Sequence, residues 1–368
     1  MYIWEHANWP HFTWREAELS AKLASTRHLQ GRLLGRMEAL GFKLREEAVL
    51  ETLTQDVVTT SEIEGEKLDT QQVRSSLARR LGMDAGALPS VDRHVEGVVD
   101  MMLDATGQFR DPLTADRLFG WHAALFPTGR SGISKIRVGC WRDDADGPMQ
   151  VVSGSYGRER VHYQAPPAER VPGEMDRFLE WMNGEAALDP VIKAAIAHFW
   201  FVTIHPFEDG NGRIARALAD LALARSEGTS QRFYSMSAQI QRERTAYYDL
   251  LERQQKSDLD ITVWIAWFLD ILREAFQSAD TILINVIRKS NFWECASEHP
   301  LNARQIKVLN RLLDGFQGKM TSSKWAKIGD CSQDTANRDI AFLIDAGLLR
   351  RGPAGGRSTD YELVFQDD

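Results

Sequence analysis

Apolar positions recur at helical spacing through most of the chain, and the stretches where that spacing fails divide it into parts. Residues 16–81 read as helix, interrupted near Gly41 and Gly65. Within them, residues 44–63 place Leu50, Leu53, Val57 and Val58 on one side, and Gly65 suits a helix end. Residues 82–90, punctuated by Gly and Pro, predict a loop. Helical spacing returns over 91–103 and 114–126, then in the apolar run 191–203 and again in 214–224. Tyr247, Tyr248 and Gln255 fall on a helical stretch with Leu250 and Leu251, and Trp264, Trp267 and Phe268 are candidates to close the core. Trp4, Trp9, Phe12 and Trp14 near the start predict an aromatic flap packed on the body.

The pattern changes over residues 130–173. Segments 149–153 and 160–163 are β-prone and are separated by the turn formers of 154–158, a hairpin signal. Ala165, Pro166 and Pro167 end the pairing, because proline has no N–H to donate to a ladder. After Pro300 a separate module begins. Its helices are expected over 303–313, 322–328 and 332–346, with Ser332 as the N-cap of the third. Residues 348–351 and 359–365 read as two strands around the turn-rich 352–356.

Between the helices 191–203 and 214–224 lies the run His205-Pro206-Phe207-Glu208-Asp209-Gly210-Asn211-Gly212-Arg213-Ile214-Ala215-Arg216. A loop there presents backbone N–H groups, and the following helix aims its N-terminus at an anion. Gly210 and Gly212 allow the backbone to approach a phosphate closely. His205 is suited to take a proton from a hydroxyl near neutral pH. Asp209 offers Mg²⁺ a hard oxygen, Asn211 offers a phosphoryl oxygen an amide N–H, and Arg213 and Arg216 offer charge-assisted contacts. Phe207 is expected to point into the core and hold the loop.

This run resembles the signature loop of Fic-domain proteins, H-x-F-x-[DE]-G-N-G-R-x-x-R, at every specified position. The resemblance implies transfer of AMP from ATP to a Ser, Thr or Tyr hydroxyl of a target protein. His205 would be the base, Asp209 would hold Mg²⁺, Gly210, Asn211 and Gly212 would form the anion hole, and Arg213 and Arg216 would contact the phosphate chain. Phosphorylating variants usually carry Lys where this chain has Gly212. The resemblance also implies that the hairpin, through Val161, His162, Tyr163 and Gln164, registers the target's backbone, although a purely structural hairpin is the competing reading. Tyr247, Tyr248 and Gln255 would contact the adenosine, with core packing as the alternative.

A second motif, Thr60-Ser61-Glu62-Ile63-Glu64-Gly65, resembles the family's inhibitory pattern [ST]-x-x-x-E-[GN] in its N-terminal, class II placement. The implied pair is Glu64 with Arg216, which would remove that arginine from the nucleotide. Taken locally, Glu64 between Glu62 and Glu66 also reads as a solvated side chain on a charged turn.

The fold class expected is mainly α. A Fic helical core with a small β-hairpin flap (90–285) follows an N-terminal helical region with the inhibitory motif (1–89), and a C-terminal winged helix-turn-helix (290–368) ends the chain. The net charge of -8 argues against a general binder of nucleic acid or anionic membrane. No apolar run approaches roughly 18 residues, so no membrane span is expected. Cys140, Cys295 and Cys331 form no metal pattern and suggest a reducing compartment. With no signal-peptide pattern at the start, a cytoplasmic protein is the expectation. His94, His122 and His198 are expected to be structural or surface residues.

From Leu301 onward ten basic residues face nine acidic ones, which gives DNA little general attraction, although Asn337 and Arg338 could read bases. The leading expectation is a self-inhibited AMP transferase using ATP and Mg²⁺, with self-modification and a homodimer both open. The alternatives are a DNA-binding regulator with the Fic core as nucleotide sensor, and AMP removal by the same site with Glu64 helping to activate water.

Overall fold

A computed structural model describes residues 1–83, 91–145, 147–154, 158–185, 188–316, 318–352 and 359–365. The chain divides into two compact units, Met1–Asp280 and Thr281–Asp368. The expected loop at 82–90, the hairpin turn and the turn between the last two strands fall largely outside the described residues.

The first unit begins with α1 (Glu16–Glu38), α2 (Phe42–Ile63) and α3 (Thr70–Arg80), broken where the glycines interrupt the helical pattern. Asp69 caps α3 by accepting from Gln72 N–H, and Asp92 caps α4 (Arg93–Gly107) in the same way from His94. Next come α5 (Ala115–Leu125) and the short hairpin of β1 (Arg130–Ser131) and β2 (Ser134–Lys135), which the hydrophobic pattern did not reveal. Then β3 (Gln150–Ser153) and β4 (Arg160–Gln164) pair antiparallel, with a register shift at Val151/Val152.

Helices α6 (Val171–Asn183), α7 (Pro190–Ile204), α8 (Asn211–Glu227), α9 (Met236–Arg242), α10 (Arg244–Gln255) and α11 (Thr262–Ala296) follow. Every residue of α7 from Ala194 to Ile204 is buried, so this helix is the centre of the unit. It packs most extensively on α8, while α2 lies against α9, α3, α4 and α8. The N-terminal tryptophans pack as a flap: Trp9 and Phe12 meet Trp200 edge-on, and the Trp9 indole donates to Glu174.

The second unit uses the end of α11 with α12 (Ala303–Leu313), α13 (Ser322–Gly329), α14 (Gln333–Asp345) and the antiparallel pair β5 (Leu349–Arg351) and β6 (Tyr361–Leu363). Ser332 caps α14 through Thr335 N–H. Its core is built on Phe292, Val308, Leu309, Trp325, Ile340 and Leu343. Arg304 forms a forked pair with Asp339 at 2.6 and 2.9 Å, tying α12 to α14. No helix among the described residues is long and apolar enough to cross a membrane.

Candidate functional site

The site is built where α7 ends and α8 begins. His205 closes α7 in the left-handed region (φ +52°), with its N–H on Phe201 O at 3.0 Å. Glycine ordinarily fills such a position, and a side-chain-bearing residue there costs about 1–2 kcal/mol. The strain makes His205 a candidate functional residue. Gly210 (φ +79°) precedes α8, and a Cβ there would stand 2.9 Å from the Phe126 ring, so both conformation and space demand glycine. No side chain caps α8, which leaves its first N–H groups available to an anion.

Half-buried His205 donates Nδ1–H to Val202 O at 3.2 Å, which leaves Nε2 as the lone-pair nitrogen. Burial pushes its pKa down to about 4, so the ring is neutral at pH 7. Asp209 accepts from Gly210 N–H at 2.6 Å and from the Ser131 hydroxyl, and it stays half-exposed. One oriented carboxylate fits Mg²⁺, which usually takes one or two carboxylates together with waters and substrate phosphates. Among the described residues no three His, Cys, Asp or Glu side chains converge as a protein-only metal cage.

Asn211 behaves differently from the sequence expectation. Its side chain is buried and both ends are taken by Phe207: Oδ1 accepts from Phe207 N–H at 3.0 Å and Nδ2 donates to Phe207 O at 2.8 Å. The amide therefore staples the loop, and the residue's offer to an anion is its backbone N–H. Phe207 is fully buried and stacks on His122 at 4.2 Å, while His122 holds Asp209 O at 3.2 Å.

The two arginines of the motif are both occupied by the last turn of α2 and the residues just after it. Arg216, 2% exposed, donates to Thr60 Oγ1 (2.7 Å), Thr60 O (2.9 Å) and Glu64 Oε1 (2.7 Å). Arg213, 1% exposed, donates to Glu66 Oε2 at 2.7 Å. Glu64 also lies against Gly212, where any Cβ would collide with its carboxylate. Tyr248 donates to Glu64 Oε2 at 3.3 Å, and Arg244 holds Ile63 O at 2.6 Å.

The remaining expected residues separate into two groups. Tyr247 is buried, hydrogen-bonded to His198 at 3.0 Å and stacked on Trp267, and Gln255 is buried beside Thr203. Both belong to the packed wall, whereas Tyr248 faces Glu64. On the hairpin, Tyr163 is buried and donates to Thr203 O at 2.6 Å, Gln164 O accepts from the Trp4 indole at 2.9 Å, and Val161 is exposed. His162 links Ser153 (2.6 Å) to Glu252 (2.5 Å), which also binds Arg160 and Lys256.

Arg142, Ser131, Glu66 and His94 were not singled out from sequence as site residues, and Thr60 entered only as the first position of the inhibitory motif. Arg142 donates to His205 O, Pro166 O and Asp144, while its backbone N–H holds Pro206 O. A lone arginine in an irregular segment has no periodic or spacing signal to reveal such a role.

The fold is shared with solved structures. A Fic family protein from Desulfovibrio desulfuricans G20 superposes with a TM-score of 0.56 at 21% identity, covering 96% of this chain and 98% of that one. A Fic domain containing signaling protein from Bacteroides thetaiotaomicron VPI-5482 gives 0.53 at 20% identity, over 70% of this chain and 96% of that one. Residues 112–223 match the Fic/DOC family, and residues 2–83 match a domain of unknown function, DUF4172. The protein adenylyltransferase Fic of Drosophila mojavensis is 28% identical over 205 residues, which cover 54% of this chain and 36% of that protein. The chain thus matches little more than a third of that relative's length. Together these likenesses place a Fic/DOC-like segment over residues 112–223 and show a fold shared with solved Fic proteins.

Proposed function

We propose that the protein moves AMP from ATP to a Ser, Thr or Tyr hydroxyl of a target protein and that Glu64 holds it inactive. The observation that carries this reading is the Glu64 carboxylate seated on Gly212 and Arg216 at the uncapped N-terminus of α8. An anion fills the place that a phosphate would take.

In the active state His205 Nε2 takes the proton of the target hydroxyl as its oxygen attacks the α-phosphorus and pyrophosphate leaves. The N–H groups at the start of α8 and Arg213 and Arg216 carry the phosphate charge. Bound Mg²⁺, held by Asp209, would neutralise phosphate oxygens. The β4 edge offers the target a backbone to pair with, and Tyr163 fixes that edge to the helix ending in His205. We read the second unit as a winged helix used for packing or protein contact, because Arg304 is taken by Asp339 and Arg338 leans on its own helix.

The test is labelling with α-phosphate-labelled ATP and Mg²⁺ of the wild type, Glu64→Gly and Glu64→Gly/His205→Ala. Self-label on Glu64→Gly alone supports the reading. Equal label on Glu64→Gly and wild type removes the inhibition. No label on any variant that still binds ATP removes the transfer.

A further inference from the structure

The turn after α2 carries two carboxylates separated by Gly65, and they meet two arginines three residues apart on α8. Gly65 (φ +86°) reverses the chain so that Glu64 faces Arg216 while Glu66 faces Arg213. Glu66 has a second partner in His94, whose Nε2 lies 2.9 Å from the carboxylate oxygen that Arg213 also holds. Burial opposes the charged form of Glu66, yet His94 and Arg213 together bring its pKa below the usual carboxylate range.

Neither arginine is fully satisfied by this arrangement. Arg216 Nη1 and Arg213 Nε are buried without a hydrogen-bond partner among the described residues. Leaving a buried donor unpaired costs about 1–3 kcal/mol. Arg216 Nη1 also lies beside Gly212, 3.2 Å from where a Cβ would stand. A carboxylate brings two oxygens and a terminal phosphoryl group three, so these spare donors suit a phosphate better than the glutamates.

We propose that the Glu64–Gly65–Glu66 turn imitates two successive phosphate groups, that Glu66 is an inhibitory carboxylate in its own right, and that Arg213 with His94 forms the second phosphate subsite. This rests on the nucleotide reading of the site. Removing Glu64 alone therefore opens one subsite and leaves the other filled. When both carboxylates are gone, His94 and Arg213 face the same phosphate.

The experiment is calorimetric binding of inorganic tripolyphosphate to the full chain, as wild type, Glu64→Gly, Glu64→Gly/Glu66→Gln and the latter with His94→Gln. Affinity should rise on Glu64→Gly, rise again by about tenfold on adding Glu66→Gln, and lose most of that second step with His94→Gln. Glu66→Ala in place of Glu66→Gln should give the same second step and guards against an effect of the amide on folding. Equal affinity of Glu64→Gly and both double variants overturns the proposal, as does indifference to His94→Gln. Transfer is read separately with labelled ATP. Absence of label alongside the expected binding series would remove the transferase reading and leave the phosphate subsites standing.

Discussion

Arg142 donates Nε–H to the carbonyl of His205 at 2.8 Å, from 63 positions upstream of it. The same guanidinium reaches Pro166 O at the end of the hairpin, so one buried cation ties the strained residue of the site to the strand beside it. Lysine keeps the charge but has no planar fork to bridge these acceptors. In a Glu64→Gly background we expect Arg142→Lys to slow single-turnover label transfer by about tenfold, equivalent to roughly 1.4 kcal/mol at the barrier, while ATP affinity stays unchanged. An unchanged rate would show that His205 keeps its position without Arg142.

The acid and alkaline limbs of the stability curve have different owners. Burial pushes His122 and His205 to about 4 and His198 to about 3. The unfolded chain takes up these protons below about pH 6.5 and the fold does not, so stability falls as pH drops through that window. Asp220, buried beside Asp56, is raised by burial to about 8, so the fold keeps a proton that the unfolded chain has released. That contribution is lost as pH rises towards 8 and offsets one histidine below 6.5. We expect the urea midpoint to peak near pH 6.5 and to fall on both sides. Asp220→Asn should flatten the alkaline limb alone, and an unaltered limb would refute the assignment to Asp220.

Much of the helical order was legible because it rests on local signals. The glycines at 41 and 65 interrupt the pattern close to where α1 and α2 end, and Ser332 caps α14. The signature loop was legible as a list of residues but not as an arrangement. Its chemistry names Asn211 as an anion donor, whereas tertiary packing engages that amide with Phe207. Glu66 reads as a charged turn residue until α4 brings His94 and α8 brings Arg213 to it. The β1–β2 hairpin is only two residues per strand, too short to show a period of two, yet it brings Ser131 to Asp209.

Gly210 tests how far the loop depends on its backbone. Alanine would meet both an unfavourable φ of +79° and the Phe126 ring. We expect Gly210→Ala to destabilise the protein by about 1–3 kcal/mol and to abolish labelling in the Glu64→Gly background. Chemical denaturation and labelling measured together would check this. Full activity with a lowered midpoint would mean that the start of α8 tolerates displacement.

The hairpin offers a sharper test at the Tyr163 hydroxyl, which ties its root directly to α7 beside the contacts of Trp4 and Arg142. Tyr163 is 1% exposed and donates to Thr203 O, one of the last carbonyls of α7, which the helix itself leaves without a partner. Tyr163→Phe keeps the ring packing and strands that buried carbonyl, at a cost of about 1–3 kcal/mol. The loss should be local, because the ring still fills its pocket while β4 loses its tie to the end of α7. Hydrogen exchange should therefore quicken at the amides of β4 and near His205, with the middle of α7 unchanged. Exchange that quickens equally throughout α7 would show that Tyr163 supports the whole core and does not specifically anchor the hairpin.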